Sequence, residues 1–323
     1  MVVQLKISII LLTKNGERFI SQVLSGIFSQ SGSFEVIAVD SGSTDGTLEI
    51  LKSFPVSLFQ IPPGEFNHGL TRNFGVSKAA PGSKYLVFLS QDAAPLPGWL
   101  EGLIGLMEAD TAMAGVFSRQ VPRDGGNPVL RRYMIEEWGQ CGGLVKITKE
   151  IKDSDDYERR KSWYTAFSNT SSAVRREVFE KFPFRAVEFA EDRLWAADVL
   201  EAGCKIVYEP ASMVIHSHDY SLVEQFRQNF DDAGSGAAGV SGYAERRNPF
   251  LRLPVKLARD AVYVWKTVRP LPERIGWVLY IPLWHAAIML GRLLGMMKPI
   301  LPGILIRALS RQARIKHEDT LHV

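Results

Sequence analysis

The sequence predicts an α/β protein with a mostly parallel central sheet that is flanked by helices. Apolar runs rich in β-branched residues alternate with segments of helical periodicity over the first 120 residues. Strands buried on both faces form continuous apolar runs, and a strand–helix alternation places such strands in parallel. The predicted strands are residues 6–12, 34–39, 56–60 and 85–90, and the predicted helices are residues 19–30, 48–54, 71–79 and 100–109.

The pattern becomes less regular beyond residue 120. We predict a helix over 130–138, a charged loop over 149–161 and further α/β patterning over 166–250. Pro249 and Pro254 then interrupt the chain, and the segments after them are long, apolar and basic. We therefore predict an α/β domain over residues 1–248 and a helical C-terminal region over residues 249–323.

The net charge of +3 conceals an asymmetry between these two regions. Residues 251–323 hold 12 Lys and Arg against 4 Asp and Glu and so carry +8, whereas the rest of the chain carries −5. A basic and apolar segment on an acidic domain favours an anionic membrane surface as partner over nucleic acid. No recognised nucleic-acid motif accompanies the basic residues, so we expect no nucleic-acid partner.

Two segments of the C-terminal region predict a peripheral membrane protein. Residues 255–268 are amphipathic, and residues 275–297 are strongly apolar but contain Pro282, His285 and Arg292. About 20 residues suffice to span a bilayer, yet a central histidine and arginine make spanning costly. We expect helices that lie in the interface at the cytoplasmic face of the inner or plasma membrane. Packing on the α/β domain and formation of a homodimer remain the alternatives.

The cysteines indicate a reducing compartment. The two residues, Cys141 and Cys204, form neither a disulfide framework nor a zinc-binding pattern. Buried free thiols of this kind are common in cytosolic proteins. The N-terminal apolar run contains Lys6 and no cleavage-like site, so we expect no signal peptide.

The most informative motif is V-D-S-G-S-T-D-G-T over residues 39–47, directly after the second predicted strand. An aspartate at a strand tip can accept hydrogen bonds from a base or ribose, and the small residues let the backbone approach a ligand. We predict that Asp40 and Ser41 hold a nucleoside, together with Thr13 and Asn15 at the tip of the first strand. Asp45 is expected to cap the following helix.

Two further motifs predict groups for a diphosphate and a cation. In F-N-H-G-L-T-R-N-F-G over residues 66–75, His68 and Arg72 lie near a helix start and can meet a diphosphate or a pyrimidine ring. The fourth predicted strand ends at Gln91 and Asp92, and an aspartate there can hold Mg²⁺ or Mn²⁺.

A single carboxylate binds a divalent cation weakly, so we looked for a second ligand. His216 and His218 form an H-x-H pair after the apolar residues 214–215. In a strand these two side chains share one face, where they can ligate a cation or a phosphate. We therefore predict Asp92, His216 and His218 as metal ligands.

The last two segments predict a base and an acceptor site. Glu191 and Asp192 precede a helical apolar pattern, so they lie at a helix N-terminus, where the macrodipole stabilises carboxylates. Residues 163–176 combine aromatic and small polar side chains, which stack on sugar faces and bind hydroxyls. Trp163 and Asn169 are the acceptor-binding candidates, with a core strand as the alternative interpretation.

The motif over residues 39–47, together with I-S-I-I-L-L-T-K-N over residues 7–15, resembles glycosyltransferase family 2. The resemblance implies a GT-A fold and a nucleotide-sugar donor, with Asp40 at the nucleobase. It further implies that Asp192 is the catalytic base and that Glu191 orients it or binds the acceptor. Ser41 stands where many members have a second aspartate, which leaves the role of Ser41 less defined.

The motif over residues 66–75 resembles the rhamnosyltransferase-like branch of this family, which uses dTDP-rhamnose. Most of the family has D-x-D where this chain has S-Q-D, so only Asp92 remains as a metal ligand there. The Q-D-A form, at Gln91 to Ala93, occurs in rhamnosyltransferase-like members. This departure puts dependence on a metal in doubt without arguing against activity.

The resemblance implies an inverting glycosyltransferase that moves a sugar, L-rhamnose from dTDP-rhamnose by preference, onto a glycan or polyprenyl-linked acceptor. Such an enzyme would act in cell-surface polysaccharide or O-antigen synthesis. A non-catalytic nucleotide-sugar-binding protein or membrane scaffold is the alternative, because the D-x-D motif is reduced. A nucleotidyltransferase would need a triphosphate loop, and Lys14 beside Asn15 and Gly16 is a poor candidate for one.

Overall fold

The structure is a computed structural model that describes residues 6–136, 143–187, 190–234, 249–311 and 313. The chain divides into two compact units. Residues 1–121 and 139–216 form the sheet unit, and residues 122–138 and 217–323 form the helical unit. The domain boundary predicted at residue 249 stays a prediction. Cys141 lies outside the described residues.

The described strands of the sheet unit form a mixed sheet. They are β1 (Ile7–Thr13), β2 (Phe34–Asp40), β3 (Ser57–Gln60), β4 (Tyr85–Ser90), β5 (Ala94–Pro95), β6 (Met113–Val121), β7 (Ile147–Lys149), β8 (Ser171–Arg175) and β9 (Lys205–Ile215). Their order is β3-β2-β1-β4-β8-β6-β9-β5, and β7 also pairs with β9. The first four strands run parallel, as predicted, whereas β8 runs antiparallel to both β4 and β6. β6 and β9 are parallel to each other.

Helices connect these strands and lie close to the predicted positions. Those of the sheet unit are α1 (Glu17–Phe28), α2 (Thr47–Lys52), α3 (His68–Ser77), α4 (Trp99–Ala109), α6 (Ser154–Arg159), α7 (Lys161–Tyr164), α8 (Arg176–Phe179) and α9 (Glu191–Glu201). The prediction of a charged loop over 149–161 is wrong, since α6 lies there. Asp153 caps this helix by accepting the N–H groups of Asp155 and Asp156, and Tyr157 buries its ring.

The core of the sheet unit lies on both faces of the sheet. Alternate residues of one strand point to opposite faces, so Ile9 packs in one apolar cluster while Ile10 packs in the other. The first cluster includes Leu24 of α1, and the second includes Trp195 of α9. Helices therefore cover both faces, which explains why β1, β2 and β4 are mostly apolar.

The helical unit is built from α5 (Pro128–Glu136), α10 (Leu222–Gly234), α11 (Pro249–Thr267), α12 (Leu271–Met296) and α13 (Gly303–Leu309). The long C-terminal helices are present as predicted. Gly291 and Gly295 allow α12 to pack closely on α10. A Cβ atom at Gly291 would collide with the carbonyl oxygen of Phe226, and one at Gly295 with that of Phe230. With 26 residues and a mean hydropathy of 1.4, α12 is long and apolar enough to cross a membrane. One such helix is weak evidence that the protein spans a membrane.

A buried polar network joins three helices of this unit. Asp260 of α11 is fully buried, and its carboxylate accepts hydrogen bonds from Arg132 of α5 and His285 of α12. The His285 Nε2 to Asp260 Oδ2 distance is 2.6 Å. Arg132 also pairs with Glu136 at 3.1 Å. The histidine that interrupts the apolar segment in the sequence is thus partnered inside the protein.

Replacing Asp260 by Ala should destabilise the helical unit by about 3–5 kcal/mol, because a buried cation would lose its counter-ion. Urea denaturation followed by tryptophan fluorescence measures this, since the Trp284 ring lies 5.1 Å from the ring of His285. The matched control is Asp124→Ala, which removes a fully exposed partner of Arg131 and should cost at most about 1 kcal/mol. Equal effects of the two substitutions would contradict this account.

Candidate active site

Asp40, at the end of β2, holds the following turn together and also bonds to the end of β1. Thr13 lies opposite Asp40 in the strand register, and the Thr13 hydroxyl donates to Asp40 Oδ2 at 2.9 Å. Asp40 Oδ1 accepts the N–H groups of Gly42 and Ser43 at 3.0 and 2.8 Å. The carboxylate is fully buried, so it shapes the loop from within.

The neighbouring polar residues complete this turn. Asn15 takes a left-handed conformation with φ of 47°, and its Oδ1 accepts the N–H of Thr44 at 2.8 Å. Ser41 is buried and donates to the carbonyl of Thr13 at 3.3 Å. Asp45 accepts the N–H of Thr47 at 3.1 Å, but the cap position of α2 is Gly46, so Asp45, the predicted cap, lies one residue before it. The structure therefore brings the four residues predicted to hold a nucleoside to one edge of the sheet, where Asn15 is exposed.

Gln91 and Asp92 follow β4 at the same edge. The Gln91 side chain makes two hydrogen bonds to the backbone of Lys14: its Oε1 accepts the N–H at 2.8 Å and its Nε2 donates to the carbonyl at 2.9 Å. These bonds tie the loop after β4 to the loop after β1. The Asp92 side chain is 18% exposed.

Asp92 lies beside His216, as the metal prediction requires. Asp92 Oδ1 and His216 Nε2 are 3.5 Å apart, and their ligand atoms are close enough to share one cation. His216 and His218 do not share a strand face as predicted, however, because β9 ends at Ile215 and His216 follows it. His218 belongs to the helical unit, where its ring stacks on Tyr220 at 5.0 Å.

The surroundings of His216 fit a divalent cation. Gln120 Nε2 donates to Ser168 Oγ at 3.2 Å, which turns Gln120 Oε1 toward His216 Nδ1 at 2.8 Å. The hydrogen-bond network therefore assigns the ring proton to Nδ1. A neutral ring then presents the Nε2 lone pair to a carboxylate oxygen. Two electron-rich atoms facing each other are stabilised by a bound cation or by a second ring proton.

A buried ion pair joins α3 to α9. Arg72 Nη1 donates to Glu191 Oε1 at 2.6 Å, and both side chains are more than nine-tenths buried. Arg72 also donates to the carbonyl of His68 at 3.2 Å. Burial lowers the pKa of His68 to about 4, and the charge of Arg72 acts in the same direction. The imidazole of His68 is therefore neutral at physiological pH.

Glu191 and Asp192 have opposite electrostatic surroundings although they are adjacent. Burial alone would raise the pKa of Glu191, but the Arg72 guanidinium holds it below its usual value. Burial raises the pKa of Asp192 to about 6, and the charge of Glu191 adds to this effect. Ala190 precedes them with φ of 63°. Residues other than glycine seldom adopt this backbone conformation, and it often marks a functional site. Two carboxyl groups whose pKa values are driven apart are suited to different roles.

Asn169 joins this cluster, whereas Trp163 has other neighbours. The backbone N–H of Asn169 donates to Asp192 Oδ2 at 3.0 Å, and its side-chain Nδ2 lies 3.3 Å from Glu191 Oε1. The Trp163 ring has the Arg160 guanidinium at 4.3 Å and the Lys149 ammonium at 5.3 Å. Cations therefore pack on the tryptophan that was predicted to stack on a sugar.

Sequence reasoning missed two features of the site. Gln120 orients His216 but belongs to no motif. The available signal was its place near the end of β6, at the edge of the sheet where the other candidate residues lie. The pairing of Arg72 with Glu191 joins residues 119 positions apart, which no local pattern reveals.

Comparison with solved structures identifies the class of fold. The chain resembles mannosyltransferase PcManGT from Pyrobaculum calidifontis, solved with GDP-Man and Mn²⁺, with a TM-score of 0.53 and 17% identity over 99% of this chain and 87% of that one. It also resembles TarS residues 1–349 from S. aureus, with a TM-score of 0.52 and 15% identity over 92% and 91% of the two chains. The chain therefore has the GT-A glycosyltransferase fold, as predicted.

The family is defined by sequence. The model of glycosyl transferase family 2 matches residues 8–182, more than half of the chain, so the chain belongs to that family. It is 36% identical over 202 residues to the O-antigen chain rhamnosyltransferase WbaN of Salmonella anatum, covering 61% of each chain. It is 31% identical over 232 residues to the O-antigen chain rhamnosyltransferase RfbN of Salmonella typhimurium, covering 70% of this chain and 71% of that one. The predicted resemblance is confirmed.

Proposed function

We propose that this protein is an inverting glycosyltransferase that transfers L-rhamnose from dTDP-rhamnose to a hydroxyl group of a glycan or lipid-linked acceptor. The observation that carries the proposal is the pair of adjacent carboxylates on α9, one paired with Arg72 and one with a raised pKa. The names of the two Salmonella relatives support rhamnose as the sugar and O-antigen synthesis as the setting.

In this proposal Asp192 is the general base. Its side chain is only partly buried, whereas Glu191 is buried, so Asp192 is the carboxylate that an acceptor can reach. The carboxylate takes the proton of the acceptor hydroxyl, and the hydroxyl oxygen attacks the anomeric carbon of the donor. The bond from that carbon to the diphosphate breaks, and the nucleoside diphosphate leaves from the opposite face. The sugar configuration is thereby inverted.

The donor occupies the edge of the sheet where Thr13, Asn15, Asp40 and Ser41 meet. Gln91 holds two of the loops of this edge together. The neutral His68 and Arg72 are proposed to contact the donor. When bound, a divalent cation neutralises the charge of the leaving diphosphate.

Asp92 and His216 would hold this cation. His218, two residues further along the chain, is proposed as a third ligand. The binding of Mn²⁺ and GDP-Man by PcManGT supports a cation and a nucleotide-sugar as classes of ligand.

We also propose that the protein is peripheral at the cytoplasmic face of the membrane. Ile275, Leu279 and Leu283 are spaced four residues apart on α12 and are between 48% and 69% exposed, so they form an apolar stripe. Trp265 of α11 is 54% exposed. Exposed apolar residues in a segment that carries +8 favour an anionic lipid surface, because lipid headgroups complement the charge.

The purified protein should bind dTDP-rhamnose selectively and hydrolyse it slowly when Mg²⁺ or Mn²⁺ is present. The assay compares dTDP-rhamnose, UDP-glucose, UDP-galactose and GDP-mannose, each with a cation or with EDTA. Asp92→Asn should weaken the cation-dependent binding by about 10-fold or more, since one anionic ligand is lost. Asp124→Asn, at a fully exposed position, is the matched control.

A preference for another nucleotide-sugar would contradict rhamnose as the sugar and keep the class of enzyme. If the protein binds a nucleotide-sugar but transfers sugar from no donor to any acceptor, a non-catalytic scaffold is favoured. Donor binding that is unchanged by EDTA would contradict the metal site.

Asp192→Asn should lower the transfer rate by about 10²–10⁴-fold, because the amide cannot accept the proton. Donor affinity should change by less than about 2-fold, since the amide keeps the size of the carboxylate. The base works only when deprotonated, so log kcat/KM should rise with pH to about 6 and then become level.

Asp198→Asn on the same helix, where Asp198 pairs with Arg185, is the matched control and should keep most of the activity. Full activity of Asp192→Asn would rule out this residue as the base.

The double variant Leu279→Asp/Leu283→Asp should reduce binding to vesicles of phosphatidylglycerol and phosphatidylcholine by about 10-fold or more, because two apolar contacts with the lipid are replaced by charges. Co-sedimentation measures the bound fraction, and added salt should weaken it. Leu144→Asp, at a 77% exposed position of the sheet unit, is the control. A stable dimer that does not bind vesicles would favour the homodimer instead.

A further inference from the structure

We propose that Asn169 is a positioning residue that gives the two adjacent carboxylates of α9 different tasks. Its backbone N–H orients Asp192, while its side-chain amide, together with Arg72, fixes Glu191 as a permanently paired anion. The inference rests on the proposed function, because it takes Asp192 to be the base. It replaces the acceptor-binding role that the sequence predicted for Asn169.

The hydrogen bonds of Asn169 are all directed into the protein. Ser172 Oγ donates to Asn169 Oδ1 at 2.9 Å, which fixes the side-chain amide with Nδ2 toward Glu191. Nδ2 lies 3.3 Å from Glu191 Oε1, the oxygen that also accepts from Arg72. Asn169 is 1% exposed, so its amide faces the carboxylates and not an acceptor sugar.

Asp192 is held by two backbone donors. The N–H of Asn169 donates to Oδ2 at 3.0 Å, and the N–H of Arg193 donates to Oδ1 at 2.8 Å. Each oxygen of the carboxylate thus has one fixed donor, which sets the plane of the group. A carboxylate oxygen has more than one lone pair, so both keep capacity to accept a proton from an acceptor hydroxyl.

The charges around Asp192 determine when it can act as a base. Glu191 disfavours the ionised form of Asp192, whereas Arg72 and Arg193 favour it. His68 is a further titratable group of this cluster and interacts with Arg72 and Glu191. The neutral amide of Asn169 stabilises the charge of Glu191 without adding a charge of its own. A charged residue at position 169 would disturb this balance directly.

The test is Asn169→Asp, which keeps the size of the side chain and places a third carboxyl group beside Glu191. The acidic limb of the pH profile of kcat/KM should move up by about one pH unit, because a further negative charge disfavours ionised Asp192. kcat near neutral pH should fall by about 2-fold, since about half of the Asp192 carboxylate would then be protonated, while the KM for the acceptor changes by less than about 3-fold.

The matched control is Asn73→Asp on α3. The Asn73 side chain bonds to the backbone of Phe184 at both ends, with distances of 2.8 and 3.2 Å, and among the described residues it makes no hydrogen bond to a carboxylate. This variant should lose stability without moving the acidic limb. A limb that moves equally in both variants would overturn the proposal.

Two other results for Asn169→Asp would also overturn it. An increase of 10-fold or more in the acceptor KM with an unchanged acidic limb would place Asn169 in the acceptor site. A lower melting temperature with an unchanged limb and unchanged kcat would give it a merely structural role.

Titration of the Asp192 carboxyl carbon by NMR separates failure of the inference from failure of the proposed function. Aspartate is labelled at the side-chain carboxyl carbon, and the signal lost in Asp192→Asn identifies the residue. Asn169→Asp should raise the apparent pKa of this group by about one unit, whether or not the protein transfers sugar. A wild-type protein that transfers nothing, with the titration shifted as expected, would contradict the proposed function alone. An unshifted titration would overturn the role of Asn169.

Discussion

The direction of the strands is the constraint on which the candidate site depends. The parallel strands β1, β2 and β4 bring Thr13, Asp40 and Gln91 to one edge. Because β8 runs antiparallel to β4, the residues that precede β8, Asn169 among them, reach this same edge. β6 is antiparallel to β8 and parallel to β9, so the residue after β9, His216, arrives there too. Polar side chains from five distant parts of the chain thus lie at one edge of the sheet.

At this edge the short segment before β8 contacts both the candidate cation ligand His216, through Gln120, and the two carboxylates of α9. Ser168 accepts from Gln120, which orients the imidazole of His216, and Asn169 bonds to both carboxylates of α9. The ion pair of Arg72 with Glu191 then fixes α9 against α3. Burying two charges costs free energy that their attraction and hydrogen bonds must offset, so such a pair is weak evidence of stability alone. Its closeness to a carboxyl group with a raised pKa points to chemistry as the reason for keeping it.

Much of the fold could be predicted from the sequence, and so could the edge of the sheet at which the candidate residues lie, whereas the pairing within the candidate site could not. The first four strands were predicted to within one residue at each end. The signal for β1, β2 and β4 was a largely buried apolar run, whereas β3 is only partly buried and has a shorter apolar pattern. Polar residues at the ends of those runs then located the ligand edge. The helix α6 was missed although Asp153 gave a capping signal, because its charged composition concealed the single buried Tyr157. The contact of Arg72 with Glu191 depends on tertiary packing, which no periodicity encodes.

The contacts within the helical unit bear on whether α12 crosses a bilayer, which composition alone left open. α12 is long and apolar enough to cross a bilayer, but its polar residues have partners within the unit: His285 bonds to Asp260, and Arg292 donates to Asn229 at 3.0 Å. A spanning α12 would have to bring these partners into the hydrocarbon or lose them, and either is costly. His285 is buried together with Ile281 and Trp284, while Leu279 and Leu283 face outward, so α12 has apolar residues on its outer side as well. A helix of this kind is suited to lie on a membrane surface, since its apolar residues can enter the lipid while its polar contacts stay within the protein.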